Sequence, residues 1–343
     1  MTKLAVVADD LTGALDAAAP FAARGLATMV ALRPEAVPLC LDRGPAIVGV
    51  STNTRECDAE GARSGAAACI GRLPRGLKVF KKIDSRLKGN ISAELDAIPF
   101  QKALVVPAIP DFGRWVENGR LGGFGVDEPI DIASRLGAHA AKADIPDART
   151  ADDIEAAVER GSFDLPVGAR GLAEAIARRM APESPAAPRI TATRITFVVG
   201  SRDPITKAQV AALREALPGM TYVAAPDGVA AEHLPAPSTL NLIEALETAA
   251  QADPVEVAAR LAETLLRLRP REGEAIFISG GSTAQIVLQH LGIDMLELLG
   301  EALPGLPIAR ANQFTIITKS GGFGDRQTLI RLLDRLSTEG GDG

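Results

Sequence analysis

The sequence predicts an α/β protein of two domains, each a mostly parallel sheet flanked by helices. Three observations carry that prediction. The chain has 343 residues, and roughly 100–200 residues per domain is usual. Short apolar runs such as Leu4-Ala5-Val6-Val7-Ala8 alternate with stretches of helical character, the βαβ pattern of a parallel sheet. Finally, strand after strand ends in polar or glycine-rich residues, and ligands of open α/β sheets gather beyond strand C-termini.

The first expected strand, Leu4 to Ala8, ends at Asp9-Asp10-Leu11-Thr12-Gly13-Ala14, and a helix follows to about Arg24. The two aspartates suit either a helix cap or a working pair of carboxylates. A second strand runs from Thr28 to Leu32, and a third, Ala46 to Val50, delivers Ser51-Thr52-Asn53-Thr54-Arg55. After a helix over 59–72 comes the most informative stretch, a strand from Val79 to Ile83 that runs into a polar loop and a helix starting near Ser92. Lys82, Asp84, Ser85, Arg86, Lys88 and Asn90 crowd the end of that strand. The cations suit a carboxylate or phosphate, Asp84 suits a hydroxyl proton, and Gly89 allows close backbone approach. A further strand, Ala103 to Pro107, leads to Asp111 and Arg114. Four glycines between Trp115 and Pro129 suggest an irregular flap, Ile130 to Ala143 reads as helix, and Leu165 to Met180 as strand, turn and helix. Three prolines within 181–193 mark a linker, dividing the chain into domains 1–180 and 194–343.

The second half restarts with a strand, Arg194 to Val199, the loop Gly200-Ser201 and a helix opened by Pro204. The stretch 241–250 reads as strand edge and loop, and 254–268 as an amphipathic helix. Two glycine loops follow. Strand Glu274 to Ser279 leads into Gly280-Gly281-Ser282-Thr283 with a helix from Ala284, and strand Phe314 to Lys319 leads into Ser320-Gly321-Gly322-Phe323-Gly324. Such loops offer backbone N–H groups and a positive helix end to phosphate oxygens. Neither is a P-loop and neither is the Gly-x-Gly-x-x-Gly of dinucleotide folds, which disfavours a dinucleotide-dependent oxidoreductase.

Composition sets the outer limits. Hydrophobic residues make up 47% and charged residues 23%, as in ordinary soluble proteins. Lys plus Arg is 37 against 43 for Asp plus Glu, a net charge of −6 that argues against nucleic acid as the main partner. Cys40, Cys57 and Cys69 lack metal-ligand spacing and read as reduced thiols of a cytoplasmic protein. No apolar run reaches the ~20 residues of a membrane span, no secretory leader is apparent, and His139, His233 and His290 form no ligand cluster.

The motifs Ala8-Asp9-Asp10-Leu11-Thr12-Gly13-Ala14, Lys81 to Ile91, Gly113-Arg114, Val167 to Ala173, Gly200-Ser201, Gly280 to Thr283 and Lys319 to Gly324 occur in this order. Together they resemble the four-carbon acid sugar kinases, which phosphorylate threonate, erythronate or 3-oxo-tetronate at the terminal hydroxyl. The resemblance implies a sugar-acid domain, a nucleotide domain, an active site in the cleft between them, and ATP with Mg²⁺. It implies nucleotide contacts from Ser201, Gly280, Gly281, Ser282, Thr283, Gly321, Gly322 and Gly324. Arg55, Lys82, Ser85, Arg86, Lys88 and Asn90 would bind the acid. Asp10, Asp84 or Asp9 would handle the hydroxyl proton, with Asp10 placed first, and direct metal ligands are not assigned. Lys88 stands where the family has an Arg, and Arg86 where it has a small Thr. A homo-oligomer is left open, and a non-catalytic sensor of the same fold is the alternative.

Overall fold

The structure, a computed structural model, describes residues 2–183, 185, 190–249 and 252–338. The chain divides into two units, residues 1–185 and 186–343. The first unit runs β1 (Leu4–Ala8), α1 (Leu11–Ala22), β2 (Thr28–Ala31), α2 (Val37–Leu41), β3 (Ile47–Ser51), α3 (Ala59–Ile70), β4 (Lys78–Lys82), α4 (Ile91–Leu95) and β5 (Ala103–Val106). It continues with β6 (Arg114–Glu117), β7 (Arg120–Gly123), β8 (Ile130–Asp131), α5 (Ile132–Leu136), β9 (Ala143–Asp144), α6 (Ala151–Glu159), β10 (Leu165–Gly168) and α7 (Arg170–Met180).

Its main sheet is parallel, in the order β2-β3-β1-β4-β10-β5-β9. Helices cover both faces of such a sheet, so β1 and β3 are apolar and buried along their whole length. β3 lies on one side of β1 and β4 on the other, so the chain changes direction across the sheet at β1. Ala8 pairs with Ser51 and Lys82. That register brings Asp9, Thr52 and Ile83 out at one edge, where ligand crevices form.

The second unit runs β11 (Ile190–Ala192), β12 (Arg194–Val199), α8 (Pro204–Ala216), β13 (Thr221–Pro226), β14 (Leu240–Leu246), α9 (Pro254–Arg267) and β15 (Glu274–Ser279). It ends with α10 (Gly281–His290), β16 (Met295–Leu303), β17 (Leu306–Ala311), β18 (Phe314–Lys319), α11 (Thr328–Leu333) and β19 (Leu336–Thr338). Strands β13-β14-β12-β15-β18 are parallel, and β17 and β16 extend them antiparallel. At the base of β15, Glu274 is fully buried, and its carboxylate accepts from Arg194 Nη2 at 2.6 Å and Thr196 Oγ1 at 2.5 Å.

Several expectations need correction. The flap between Trp115 and Pro129 is a three-stranded antiparallel sheet, β6-β7-β8. Its hairpin turns on Asn118 and Gly119, both at positive φ, as a two-residue primed turn requires. The 130–143 helix is broken: α5 is short and a 3₁₀ segment, Gly137–Lys142, follows. β14 is an internal strand rather than an edge, because β13 pairs outside it. The hairpin β16-β17 and helix α11 had no sequence-based assignment. The expected linker includes residues 184 and 186–189, which lie outside the described residues, and its end is the strand β11, paired with β19.

Candidate active site

In the first unit the organising group is Arg55. Its Nε and Nη2 donate to the two oxygens of Asp9 at 2.9 and 2.7 Å, and its Nη1 donates to Asp10 Oδ2 at 2.6 Å. The same Nη1 stands 3.7 Å from Asp84 Oδ2. One planar fork thus serves three carboxylates, a task suited to a guanidinium and poorly to an ammonium. Burial alone would raise the Asp9 carboxyl, which is 2% exposed, but the hydrogen bonds and charge of Arg55, with Lys81 and Lys82 behind, hold it below the usual range. Asp84 is likewise held low: the charges of Arg55 and Lys82 and the backbone N–H groups of Arg86 and Lys88 outweigh its burial.

The three aspartates are not equivalent. Asp10 caps α1, its Oδ1 accepting from Gly13 N at 2.7 Å, while Oδ2 takes Thr12 Oγ1 and Arg55. Both oxygens of Asp9 belong to Arg55. Asp84 holds its own turn through Oδ1, which accepts from Arg86 N at 2.9 Å and Lys88 N at 3.3 Å, and its Oδ2 has only the longer Arg55 contact. Gly89 closes this turn at φ +85°, where a Cβ would stand 2.7 Å from Asp9 Oδ2. Glycine meets both demands there.

The expected acid-binding residues divide. Arg55 faces the aspartates. The Lys82 ammonium is buried and donates to Ile83 O at 2.9 Å. The Asn90 amide donates to Cys57 O at 2.7 Å, which ties two loops together. α4 begins at Ile91 with Asn90 as its cap position, one residue before the expected start. Ser85 Oγ accepts from Arg114 Nη1 at 2.7 Å. Arg86 and Lys88 are exposed, with no carboxylate partner among the described residues.

Sequence reasoning did not single out the buried pair beneath this edge. Lys81 Nζ lies 3.0 Å from Glu94 Oε2, and Glu94 Oε1 accepts from Thr54 Oγ1 at 2.7 Å. Lys81 alternates with Lys82 along β4, so one lysine points to the core and the other to the crevice edge. A second lysine in an apolar strand was the available signal.

In the second unit the ends of β12, β15 and β18 meet through their backbones. Gly200 N donates to Ser279 O at 3.1 Å and Gly280 N to Lys319 O at 3.2 Å. α10 begins at Gly281, three residues earlier than expected, so Gly281, Ser282 and Thr283 form its first turn. Gly280 is the cap residue, at φ +114°, and as a glycine it offers the first-turn N–H groups no capping side chain. Those groups and the helix dipole suit an anion. The loop after β18 is held from behind. Lys319, 1% exposed, donates to Thr206 Oγ1, Ser320 O and Gly321 O at 2.9, 3.0 and 2.8 Å. Gln209 Nε2 donates to Phe323 O at 3.0 Å and Asp325 O at 2.9 Å. Gly321 packs against Ser201, whose Oγ would lie 2.6 Å from a Cβ at that position, and Gly322 faces Asp203 Oδ2. Gly324 stands at φ +82° against Thr328 and Gln209.

Comparison with known proteins finds one family model in each unit. Residues 4–131 match the family model of a sugar-binding N-terminal domain, and residues 229–329 that of a nucleotide-binding C-terminal domain. The chain is 28% identical to a D-threonate kinase of Bordetella bronchiseptica, with 96% of each chain aligned. It is 26% identical to a 3-oxo-tetronate kinase of Methylobacterium radiotolerans, covering 97% of this chain and 99% of that one. A crystal structure of a Salmonella typhimurium LT2 protein shares the fold with a TM-score of 0.73 at 22% identity, over 96% of this chain and 98% of that one.

Proposed function

Because this chain belongs to the four-carbon acid sugar kinase family, we propose that it transfers the γ-phosphoryl group of ATP to the terminal hydroxyl of a threonate, erythronate or 3-oxo-tetronate. The acceptor binds at the strand ends of the first unit and the nucleotide phosphates at the glycine loops of the second. Phosphoryl transfer asks a protein chiefly for positioning and charge stabilisation, with attacking and leaving oxygens in line.

The observation that carries this reading is the inequality of the aspartates. Asp9 and Asp10 have every carboxylate oxygen engaged, whereas Asp84 keeps Oδ2 for an incoming hydroxyl. Asp84 therefore replaces Asp10 as the first choice for orienting and deprotonating the acceptor, while Arg55 keeps it ionised and ready to accept a proton. Asp9 and Asp10 fix Arg55. Ser201, Gly280 to Thr283, Gly321, Gly322 and Gly324 offer backbone and hydroxyl groups to the phosphates.

Among the described residues no group of three or more Asp, Glu, His or Cys side chains is arranged to hold a metal ion. A Mg²⁺ carried on nucleotide phosphates needs only one or two carboxylates. Asp203 fits that demand, since its Oδ1 caps α8 while Oδ2 faces the Gly322 backbone. Such an ion would neutralise phosphate charge as it develops.

A coupled ADP-release assay with Mg²⁺–ATP against D- and L-threonate, D- and L-erythronate and their 3-oxo forms tests the reading. Turnover on one or two acids is expected. Asp84→Asn should lower kcat by about 10²–10⁴ with the nucleotide KM and the fold unchanged. No ADP release from any acid, or a fully active Asp84→Asn, overturns it.

A further inference from the structure

The first unit holds a second charged feature that the aspartate cluster does not use. Arg114 is only 6% exposed, yet among the described residues no carboxylate lies within ion-pairing distance of it. Its visible partners are neutral: Nε donates to Phe124 O at 3.0 Å and Nη1 to Ser85 Oγ at 2.7 Å. A guanidinium carries five N–H donors, so most of its hydrogen-bonding capacity is unused. Burial and the neighbouring charge of Arg86 disfavour its charged form, and the more distant carboxylates of Asp84 and Asp16 offset this only in part. Gly125 lies between the two, with its Cβ direction 3.6 Å from Arg114 Nη2 and 4.0 Å from Arg86 Cδ. The side chains of Arg114 and Arg86 therefore approach the same side of Gly125, and the carboxylate cluster of Arg55 begins at Asp84, the residue before Ser85.

Burying an unpaired cation costs free energy unless something compensates it. The local backbone is built to hold it in place regardless. Gly113 O accepts from Phe124 N at 3.0 Å, closing the β6-β7 end over the Arg114 side chain. Phe124, 55% exposed, stands at the tip of that closure.

Resting on the kinase reading above, we propose that Arg114, with Arg86 beside it, is the fork that binds the carboxylate of the acid substrate. The length scale agrees. Asp84 and Ser85 are consecutive, with Cα atoms ~3.8 Å apart, and the Asp84 carboxylate is near enough for its charge to act on Arg114. A four-carbon acid separates its carboxylate from its terminal hydroxyl by about 5 Å, given bonds of ~1.5 Å. The guanidinium anchors one end and Asp84 meets the other. Arg55 and Lys82, turned to aspartates and backbone, are not the carboxylate anchors.

The test uses the acid that the wild-type enzyme turns over and the matching tetritol, in which a CH₂OH replaces the carboxylate. Arg114→Gln should raise the KM for the acid roughly 10- to 100-fold, the range for losing a hydrogen bond to a charged group. The nucleotide KM should not move, and kcat/KM for the tetritol should fall far less than that for the acid, so discrimination between acid and alcohol narrows. Arg114→Lys, which keeps charge without the fork, should fall between. Arg86→Gln lies on the surface, leaves folding intact, and should raise the acid KM by a smaller factor. Calorimetric titration with D-threonate, without nucleotide, gives a readout independent of turnover. Binding that is lost in Arg114→Gln supports the inference even if no acid is phosphorylated. Turnover with an acid KM within twofold of wild type in both Arg114→Gln and Arg86→Gln overturns the inference and leaves the kinase reading standing. Wild-type protein that neither binds nor phosphorylates any acid of the panel overturns both.

Discussion

The two proposed ligand edges of this molecule are built from different materials. The first unit uses side-chain charge: one guanidinium holds three carboxylates, and a second guanidinium stands buried without one. The second unit uses backbone, with glycines at the ends of three neighbouring strands and a single buried ammonium tying the last loop from behind. The difference follows from the ligands proposed. Phosphate presents equivalent oxygens that backbone N–H groups satisfy without regard to side-chain identity. A sugar acid must be told from its alcohol and its longer homologues, which needs charge at fixed places. Deleting a side chain should therefore damage the first edge most, and adding one the second.

The largest effect expected is from Arg55→Met. It strips buried Asp9 of its hydrogen-bonding partner and leaves only the charges of Lys81 and Lys82 behind it, and breaking a buried pair by removing one partner costs about 3–5 kcal/mol. Trp115, the chain's one tryptophan, lies in the first unit, so its fluorescence in urea reports that unit. The midpoint should fall steeply in Arg55→Met and stay near wild type in Lys319→Met. Equal losses in both variants would break the comparison.

Gly321→Ala should act on the second edge alone. Its Cβ would meet Ser201 Oγ at 2.6 Å and Asp203 Cβ at 3.0 Å, so Ser201 must rotate away or the loop must shift. Overpacking typically costs 1–3 kcal/mol, and a rise of about tenfold in the nucleotide KM corresponds to ~1.4 kcal/mol. Initial-rate measurements should show that rise with the acid KM unchanged. A change in the acid KM instead would mean that the two edges do not divide as described.

The fold was more legible than the site. Strands β1, β12, β15 and β18 begin and end as their apolar runs do, because a parallel strand buried on both faces leaves little freedom in the sequence. β6-β7 was readable from Asn118-Gly119, yet the surrounding glycines masked it as a flap. At the site, residue type gave the chemistry but not the pairing. Arg55 suited a carboxylate, and nothing in the sequence says that the carboxylates are Asp9 and Asp10, 46 and 45 residues away. Likewise Arg114 is one arginine among many until its burial without an acid is seen.

The smallest effect expected is also the one that separates the edges most sharply, because it depends on pH. The carboxyls of Asp9 and Asp84 are held below the usual 3.8, so the first edge keeps its ionisation throughout the neutral range. Burial instead lowers the Lys319 ammonium from 10.5 to about 8, against the opposing charge of Asp203. Below about 8 both the folded and unfolded chains carry this proton, and the burial cost is felt in full. Between about 8 and 10.5 the unfolded chain binds the extra proton, so this group's contribution to stability becomes more favourable as pH rises. The loop responds in the opposite sense. A neutral amine has two N–H donors in place of three, so one bond among those to Thr206, Ser320 and Gly321 is lost. Above pH 8 the wild-type nucleotide KM should therefore rise a few-fold while resistance to urea holds or improves. In Lys319→Met the nucleotide KM should start higher and stay flat across the same range. A flat wild-type profile would mean that the glycine loop stands without its lysine, and that the second edge is held by backbone alone.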